Sequence, residues 1–328
     1  VAVYNSMITR GGTPGSVTDP LVPEPLVADI IQQLPNESVI LNMAKPVPMP
    51  AATARIPVLS LLPIAYFVGN DSMANSSTLK QTTKMMWENV HLIVEEIAAI
   101  VPIPDAYVSD ANVPLWDEVR PRLTEAIGKV IDQACLFGVG LPSTWSPAIV
   151  PTAISVGNTR ASGTGTDIPQ DLAFLAEQLT KGGISDLNGW VARPGFKWRL
   201  IGTRSATQNA PIYEPDLQDG RGGNLYGYNF RECANGAWDP TVADLVAGDW
   251  SKALVGIRQD MTFKMFDQGI INDANGAVVW NAMQNDGQAL RVTMRMAFAT
   301  ANPVNALRPT ESQRYYFGVL HAPAGQMS

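Results

Sequence analysis

Two histidines stand far apart in the chain, His91 and His321, and neither adjoins a cysteine or an acidic cluster. A metal site or a catalytic triad would need convergent partners that only folding could supply. A strand histidine and a tail histidine are the simpler reading. Cys135 and Cys233 make neither a disulfide framework nor a metal cluster. Cys135 falls in a helical pattern and reads as a small buried apolar residue. Gly163-Thr164-Gly165 imitates the start of a dinucleotide loop, whose glycines let backbone amides reach a pyrophosphate. Position 168 is Ile instead of Gly, with no evident preceding strand or acidic ribose partner, so a plain loop is expected. Lys129 follows Gly128 but lacks the upstream glycine and the following Ser or Thr of a phosphate loop.

Asp273-Ala274-Asn275-Gly276 resembles a scrap of a calcium loop without its terminal Glu, and a turn between strands is expected. Glu95 and Glu96 are adjacent on a predicted strand, so their carboxylates point to opposite faces and cannot share a substrate. A solvated face and a salt-bridge partner account for them. Asn36-Glu37-Ser38 and Asn75-Ser76-Ser77 fit the glycosylation pattern, which says nothing without a secretory signal. No constellation marks an enzyme. No catalytic, cofactor-binding or metal-binding residue is assigned, and no cofactor is expected.

Composition narrows the classes further. The 328 residues are 46% hydrophobic, enough for a large core in one elaborate domain or two average ones. Only 16% are Asp, Glu, Lys or Arg, where soluble domains carry about 25%. An uncharged surface of this size is best explained if partner subunits cover much of it. Disorder is excluded by the apolar content. No apolar run approaches the ~20 residues that cross a bilayer, so no membrane partner is expected. A net charge of −7 opposes a dedicated nucleic-acid binder, whose affinity comes from Lys and Arg on phosphates. The opening Val1-Ala2-Val3-Tyr4 shows no basic-then-apolar signal, so a cytosolic origin is expected.

The elements that would position these residues read as α+β. Residues 1–25, rich in Gly, Pro, Ser and Thr, form no core and read as an arm. A short helix with Leu26, Ile30 and Leu34 on one face is predicted after it. Residues 43–63, broken by prolines, read as an irregular stretch leading into one strand. A long polar hairpin is predicted over 62–89, and a single buried strand from Val90 to Val101. The clearest helix runs from Asp117 to Gly138, with Val119, Leu123, Ile127, Val130, Ile131 and Ala134 as its buried stripe. Pro121 must begin its regular part or kink it. About thirty loop residues follow, then a second helix opened by Pro169, with Leu172, Leu175, Ala176 and Leu179 inward and Gly182-Gly183 ending it. Short strands are predicted at 189–192 and 198–201, and long ones at 253–266 and 289–300. In the last, Leu290, Val292, Met294, Met296 and Phe298 alternate with Arg291, Thr293 and Arg295.

Taken in order, several of these segments resemble the major capsid proteins of tailed bacteriophages, the Hong Kong 97-type shell fold. The series starts with Leu21-Val22-Pro23, Ile30-Ile31, Ser38-Val39-Ile40-Leu41 and Ile56-Pro57-Val58. Pro63 through Val68-Gly69 follows, with Phe67 and Asn70 where the family usually has Trp and Glu. Ile97 through Pro104, Ser109-Asp110, Leu115-Trp116 and the helix Glu125 through Phe137-Gly138 come next. Gly248-Asp249-Trp250, Gly256-Ile257-Arg258, Leu290-Arg291, Arg295 and Asn302-Pro303-Val304 close it, so the resemblance spans 20–306.

The resemblance implies an N-terminal arm over 1–50 and an extended loop over 62–89, each reaching a neighbouring subunit. It implies a peripheral domain from 51–61, 90–138 and 251–304, with a spine helix at about 114–138. It also implies an axial domain over 139–250, rejoined by 305–328. The expected function is a structural protein, not an enzyme, that self-assembles as pentamers and hexamers into an icosahedral shell around double-stranded DNA. Portal, scaffolding and possible decoration proteins are the other implied partners, with non-specific contact to packaged DNA. The implied location is the virion, assembled in the bacterial host cytoplasm. Some family members weld subunits through a Lys–Asn bond. Lys80 and Lys84 lie in the loop, and Asn272, Asn275, Asn281 and Asn285 in the peripheral domain, but no pair is marked and no crosslink is expected. The motif variant resembles the branch without a fused scaffolding segment. An encapsulin-type nanocompartment shares the fold and is the nearest alternative. A β-rich hydrolase or carbohydrate-binding module is the alternative from another class, without a candidate site.

Overall fold

The computed structural model describes residues 37–65, 82–110, 115–165, 167–184, 187–202, 222–273 and 275–321. Helix α1 (Val39–Met43), strand β1 (Lys45–Pro48) and the hairpin β2 (Thr53–Leu61) and β3 (Met86–Ile93) come first. Then follow β4 (Glu95–Pro104), α2 (Asp105–Asp110) and α3 (Leu115–Asp132). The middle of the chain holds α4 (Ile149–Val156), β5 (Thr159–Ala161), α5 (Ile168–Lys181), β6 (Gly189–Ala192) and α6 (Phe196–Gly202). Strands β7 (Gly222–Leu225), β8 (Tyr228–Glu232), β9 (Ala243–Gly248) and β10 (Ala253–Phe266) lead to a ribbon, β11 (Ile270–Asn272) and β12 (Val278–Asn281). Helix α7 (Ala282–Asn285), β13 (Gly287–Thr300) and β14 (Phe317–His321) complete the order.

Two sheets organise these elements. One has four strands in the order β1–β10–β13–β4, with β1 parallel to β10 and the other pairs antiparallel. Its long strands turn Leu290, Val292, Met294, Met296 and Phe298 into the same core as Leu123, Ile127 and Ile131 of α3. The alternation of β13 and the i, i+4 spacing of α3 meet on that shared layer. Pro121 lies inside α3, where it removes one backbone bond without ending the helix. The last turn widens into a π-helical segment, Gln133–Phe137, and Gly138 closes it at φ 80°, a conformation that a side chain disfavours. Val130, expected in the buried stripe, is exposed, because a helix packed on a flat sheet buries a narrower strip than the spacing alone allows.

The second sheet has six strands in the order β5–β14–β9–β6–β8–β7, so the late strand β14 is inserted between the edge strand β5 and β9. Helices α4 and α5 pack against this sheet. Asp167 caps α5, its carboxylate accepting from Gln170 N at 2.9 Å, and Leu172, Leu175 and Leu179 are buried as the spacing predicted. Chain passes from one sheet to the other through Gly248-Asp249-Trp250. There the Asn188 side chain accepts from Trp250 N at 2.8 Å and donates to Asp249 at 2.8 Å.

Several expectations are corrected. The run from Val90 to Val101 is two strands, because Val94 leaves the ladder and donates instead to Ala52 O at 3.0 Å. Its first part completes the hairpin with β2, whose strands therefore start at Thr53 and end at Ile93, outside the expected 62–89. Residues 43–63 hold two strands, β1 and β2. The region after Gly138 contains α4, whose Ile149, Val150 and Ala153 are buried. Residues 198–201 belong to helix α6, not a strand, since Phe196 and Leu200 supply the buried pair four apart. Residues 39–50 pack within their own chain, with Val39 and Ile40 in the core and β1 beside β10. The helix expected around Leu26, Ile30 and Leu34 lies outside the described residues, as does the 66–81 excursion.

The helical assignment of α6 is testable. Trp198 is 73% exposed and Leu200 only 1%, although a strand would put both on one face. Leu200→Ala should cost about 2–5 kcal/mol in denaturant unfolding. Trp198→Ala should change stability by less than about 0.5 kcal/mol. Equal costs would restore the strand.

Candidate functional site

The sequence candidates disperse over the fold. His91 is exposed on β3, and His321 sits at the end of β14 with Nδ1 3.3 Å from Val242 O. Among the described residues, no group of three His, Cys, Asp or Glu side chains could hold a metal ion. The loop at Gly163-Thr164-Gly165 does join a short strand, β5, to the helix α5, contrary to the expectation that no strand precedes it. Its amides are nevertheless taken. Gly163 N and Gly165 N each donate at 2.8 Å to the buried carboxylate of Asp171, which Arg160 also meets at 3.1 Å. That carboxylate fills the place a phosphate would need.

Asp273 turns the chain between β11 and β12, its side chain accepting from Asn275 N and Ala277 N. Glu95 accepts from Thr144 Oγ1 at 2.7 Å, and Glu96 lies 3.9 Å from Arg295 across the strand pair. Asn281 caps α7, accepting from Met283 N, and Asn285 donates back to Asn281 O. Both side chains are thus engaged in local backbone bonds. Lys80 lies outside the described residues, and Lys84 is exposed.

The principal polar site was not anticipated. Asp132, at the end of α3, is fully buried. Its Oδ1 accepts from Ser38 Oγ at 2.6 Å and Ile40 N at 3.0 Å, and its Oδ2 from Val39 N at 3.0 Å and Asn235 Nδ2 at 2.6 Å. Ser38 in turn accepts from Leu41 N, so the first turn of α1 is capped from two sides. Gly128 makes room: a Cβ there would lie 3.3 Å from Ser38 N. Burial pushes the Asp132 carboxyl above its usual range, more than the bonds from Ser38, Ile40, Val39 and Asn235 lower it. Cys233 lies against this carboxylate. Burial, followed by the Asp132 charge, pushes its thiol up to about 12. The same two causes push the Cys135 thiol up. Both thiols stay protonated at neutral pH and pack as apolar groups. The available signal in the sequence was one carboxylate inside an apolar helical stripe, between Ile131 and Ala134.

The outer surfaces carry the other notable chemistry. On the hairpin, Leu61, Ile64, Met85, Met86 and Trp87 are exposed, Trp87 by 61%. At the far end of the four-stranded sheet, Ile270, Val278, Val279 and Met283 are exposed, Met283 by 83%. Large apolar side chains grouped on projecting elements mark surfaces for association, not a reaction centre.

Comparison with known proteins gives one consistent answer. Residues 18–311 match the phage capsid family. The major capsid protein of Staphylococcus phage 80alpha is 23% identical over 279 residues, 83% of this chain and 79% of that protein. A solved structure from Microbacterium phage Oxtober96 is 35% identical with a TM-score of 0.79, covering 92% of this chain and 96% of that one. One from Mycobacterium phage Cain is 29% identical with a TM-score of 0.78, over 92% of this chain and 95% of that one.

The Asp132 junction generates two expectations. Asp132→Ala would orphan the Val39 and Ile40 amides in the interior, and should cost about 3 kcal/mol in denaturant unfolding. The pH dependence has a definite sign. With the folded carboxyl raised above the unfolded value of about 3.9, folding takes up a proton between the two values. Stability should therefore fall as pH rises through that window, relative to Asp132→Asn, which has nothing to titrate. A wild-type-to-variant difference that rose with pH across the window would show a depressed carboxyl instead.

Proposed function

The chain belongs to the phage capsid family, a structural protein of the virion shell, and from that premise we propose that it closes an icosahedral shell around the double-stranded DNA of a tailed phage. The match that carries this reading is the phage capsid family over residues 18–311 of this chain. In this reading the four-stranded sheet with α3 is the peripheral domain, and the six-stranded sheet with α4 and α5 is the axial domain. Hexamers and pentamers are the closed rings that a single repeated chain would form. Exposed apolar side chains on the hairpin and on the β11–β12 ribbon suit contacts between copies. Residues 1–36 and the excursion 66–81 are proposed to reach neighbouring subunits. The proposal extends to assembly in the host cytoplasm with scaffolding and portal proteins, and to decoration proteins as further partners of the shell. It includes no Lys–Asn crosslink. The matched relatives are phage proteins, which favours this reading over a cargo-holding nanocompartment.

Sedimentation and electron microscopy of the purified chain test the proposal. Rings and closed shells are expected, and a stable monomer or dimer at every concentration would overturn it. Contact with DNA should be weak, indifferent to sequence and lost as salt rises, given the net charge of −7. Tight duplex binding by the free subunit at physiological salt would contradict that part.

A further inference from the structure

Strands β13 and β14 belong to different sheets, and residues 301–316 carry the chain between them. A surface connection is ordinarily the loosest part of a fold. This one is fastened to both halves of the molecule. On the side of the four-stranded sheet, Ala301 N donates to Lys252 O and Val304 N to Leu59 O, each at 2.8 Å. Val304 is buried, and Tyr316 Oη donates to Pro303 O at 3.0 Å. Leu59 lies on β2 opposite Trp87 of β3, well beyond the hairpin base, where Thr53 pairs with Ile93. Past Leu59, the hairpin side chains Leu61, Ile64, Met85 and Met86 are exposed. Among the described residues, the bond from Val304 is the outermost hydrogen bond between the hairpin and the rest of the chain.

The other fastening is at the end of α5. Asn305 Nδ2 donates to Gly182 O at 3.2 Å, and its Oδ1 accepts from Leu307 N at 3.1 Å and Arg308 N at 2.7 Å. Arg308 Nη1 donates to Asn158 Oδ1 and to Gln313 O, both at 2.9 Å. Asn158 is buried, and its Nδ2 donates to Tyr315 O at 3.0 Å and Phe317 O at 3.2 Å, which ties the guanidinium to the start of β14. Gly182 and Gly183, read from the sequence as a helix stop, have a second use here. A Cβ on Gly182 would lie 2.8 Å from Arg308 Cζ, and one on Gly183, at φ 87°, 2.6 Å from Asn305 Cγ. Only glycines let the segment lie this close against the helix end.

Residues 301–308 thus join the hairpin to α5 by hydrogen bonds at both ends, with the ring of Pro303 fixing one backbone angle between them. Such a segment has little freedom to absorb a displacement, so movement at one end breaks bonds or is passed to the other.

We propose that residues 301–308 are a strap that couples the angle of the hairpin to helix α5, with Asn305 and Arg308 as its positioning residues. The hairpin bears exposed apolar side chains suited to contacts between copies, and the strap lets the six-stranded half set the direction in which they are presented. The coupling is a property of one chain and goes beyond the shell-building role.

Hydrogen exchange read by mass spectrometry on the full chain tests it, with wild type and variants compared in the same assembly state. Arg308→Ala should speed amide exchange in β2 and β3 by about tenfold, although Arg308 bonds neither strand. Leu200→Ala, which disturbs the same half through α6, is the control and should leave the hairpin within about twofold of wild type. Acceleration confined to 301–313 and α5, or equal acceleration in the control, would overturn the strap. Val304→Pro removes the donor to Leu59 and should itself speed the hairpin. Adding Arg308→Ala to it should then change the hairpin by less than about twofold, because the path is already cut. Additive effects of the two substitutions would equally overturn the coupling. Asn305→Ala, read in the same way, serves if Arg308→Ala does not fold. Sedimentation decides the shell role separately, so failure of the strap leaves that role intact.

Discussion

One buried carboxylate ties together three parts of the chain that are remote in sequence. Asp132 takes its hydrogen bonds from Ser38, Val39 and Ile40 at the root of the arm, and from Asn235 just after β8. No basic side chain pairs with it among the described residues, so neutral donors alone offset the cost of burying its charge. Such an arrangement works only if the donors are accurately placed. That requirement explains the neighbouring glycine: Gly128, one helical turn before Asp132, lets the Ser38 backbone come against α3. The direction in which the chain leaves toward residue 36 is therefore set by the end of the spine helix and not by the arm's own composition.

The two sheets are joined with similar economy. Asp249 and Trp250 stand where β9 hands the chain to β10, and Asn188 bonds both of them. Trp250 is buried, its ring edge-on to Phe317 at 5.2 Å, and its indole N–H donates to Gly189 O. A single apolar core runs through both sheets, from Ile127 under β13 to Leu320 in β14. Subunits of one shape are what closed assemblies require, and a continuous core resists bending between the halves.

Legibility in the sequence followed the range of the interactions involved. Helix α3, helix α5 and strands β10 and β13 could be read because their burial is periodic and the helix ends carry local signals, Gly138 and Pro169 among them. The turn at Asp273 was equally local. Helix α6 was misread because Trp198 and Ile201 suggest a strand, whereas Phe196 and Leu200 decide the periodicity once the core exists. The break at Val94 depends on Ala52, forty-two positions away, and no local pattern encodes it. Asp132 was missed for the same reason, since its donors come from about ninety residues before it and one hundred after it. The family resemblance was legible because ordered short motifs survive where long-range contacts cannot be counted. Its arm and loop bounds still shifted once α1, β1 and β2 packed at home.

A sheet has two faces, and each must be covered by something. Helix α3 lies over one face of β13, whose Leu290, Val292, Met294, Met296 and Phe298 are buried there. The hairpin base covers the other face only around Ala297 and Ala299. Among the described residues, Ile100 and Phe266 on that face and the apolar side chains of the hairpin and the ribbon stay exposed. The scarcity of charge, 16% of residues, describes the same condition from the sequence side. A chain that finished its own layers would need a more charged exterior to stay apart from its copies. The described residues leave these apolar side chains uncovered and the sequence is poor in charge, and both conditions are satisfied together when copies of a capsid chain close over one another.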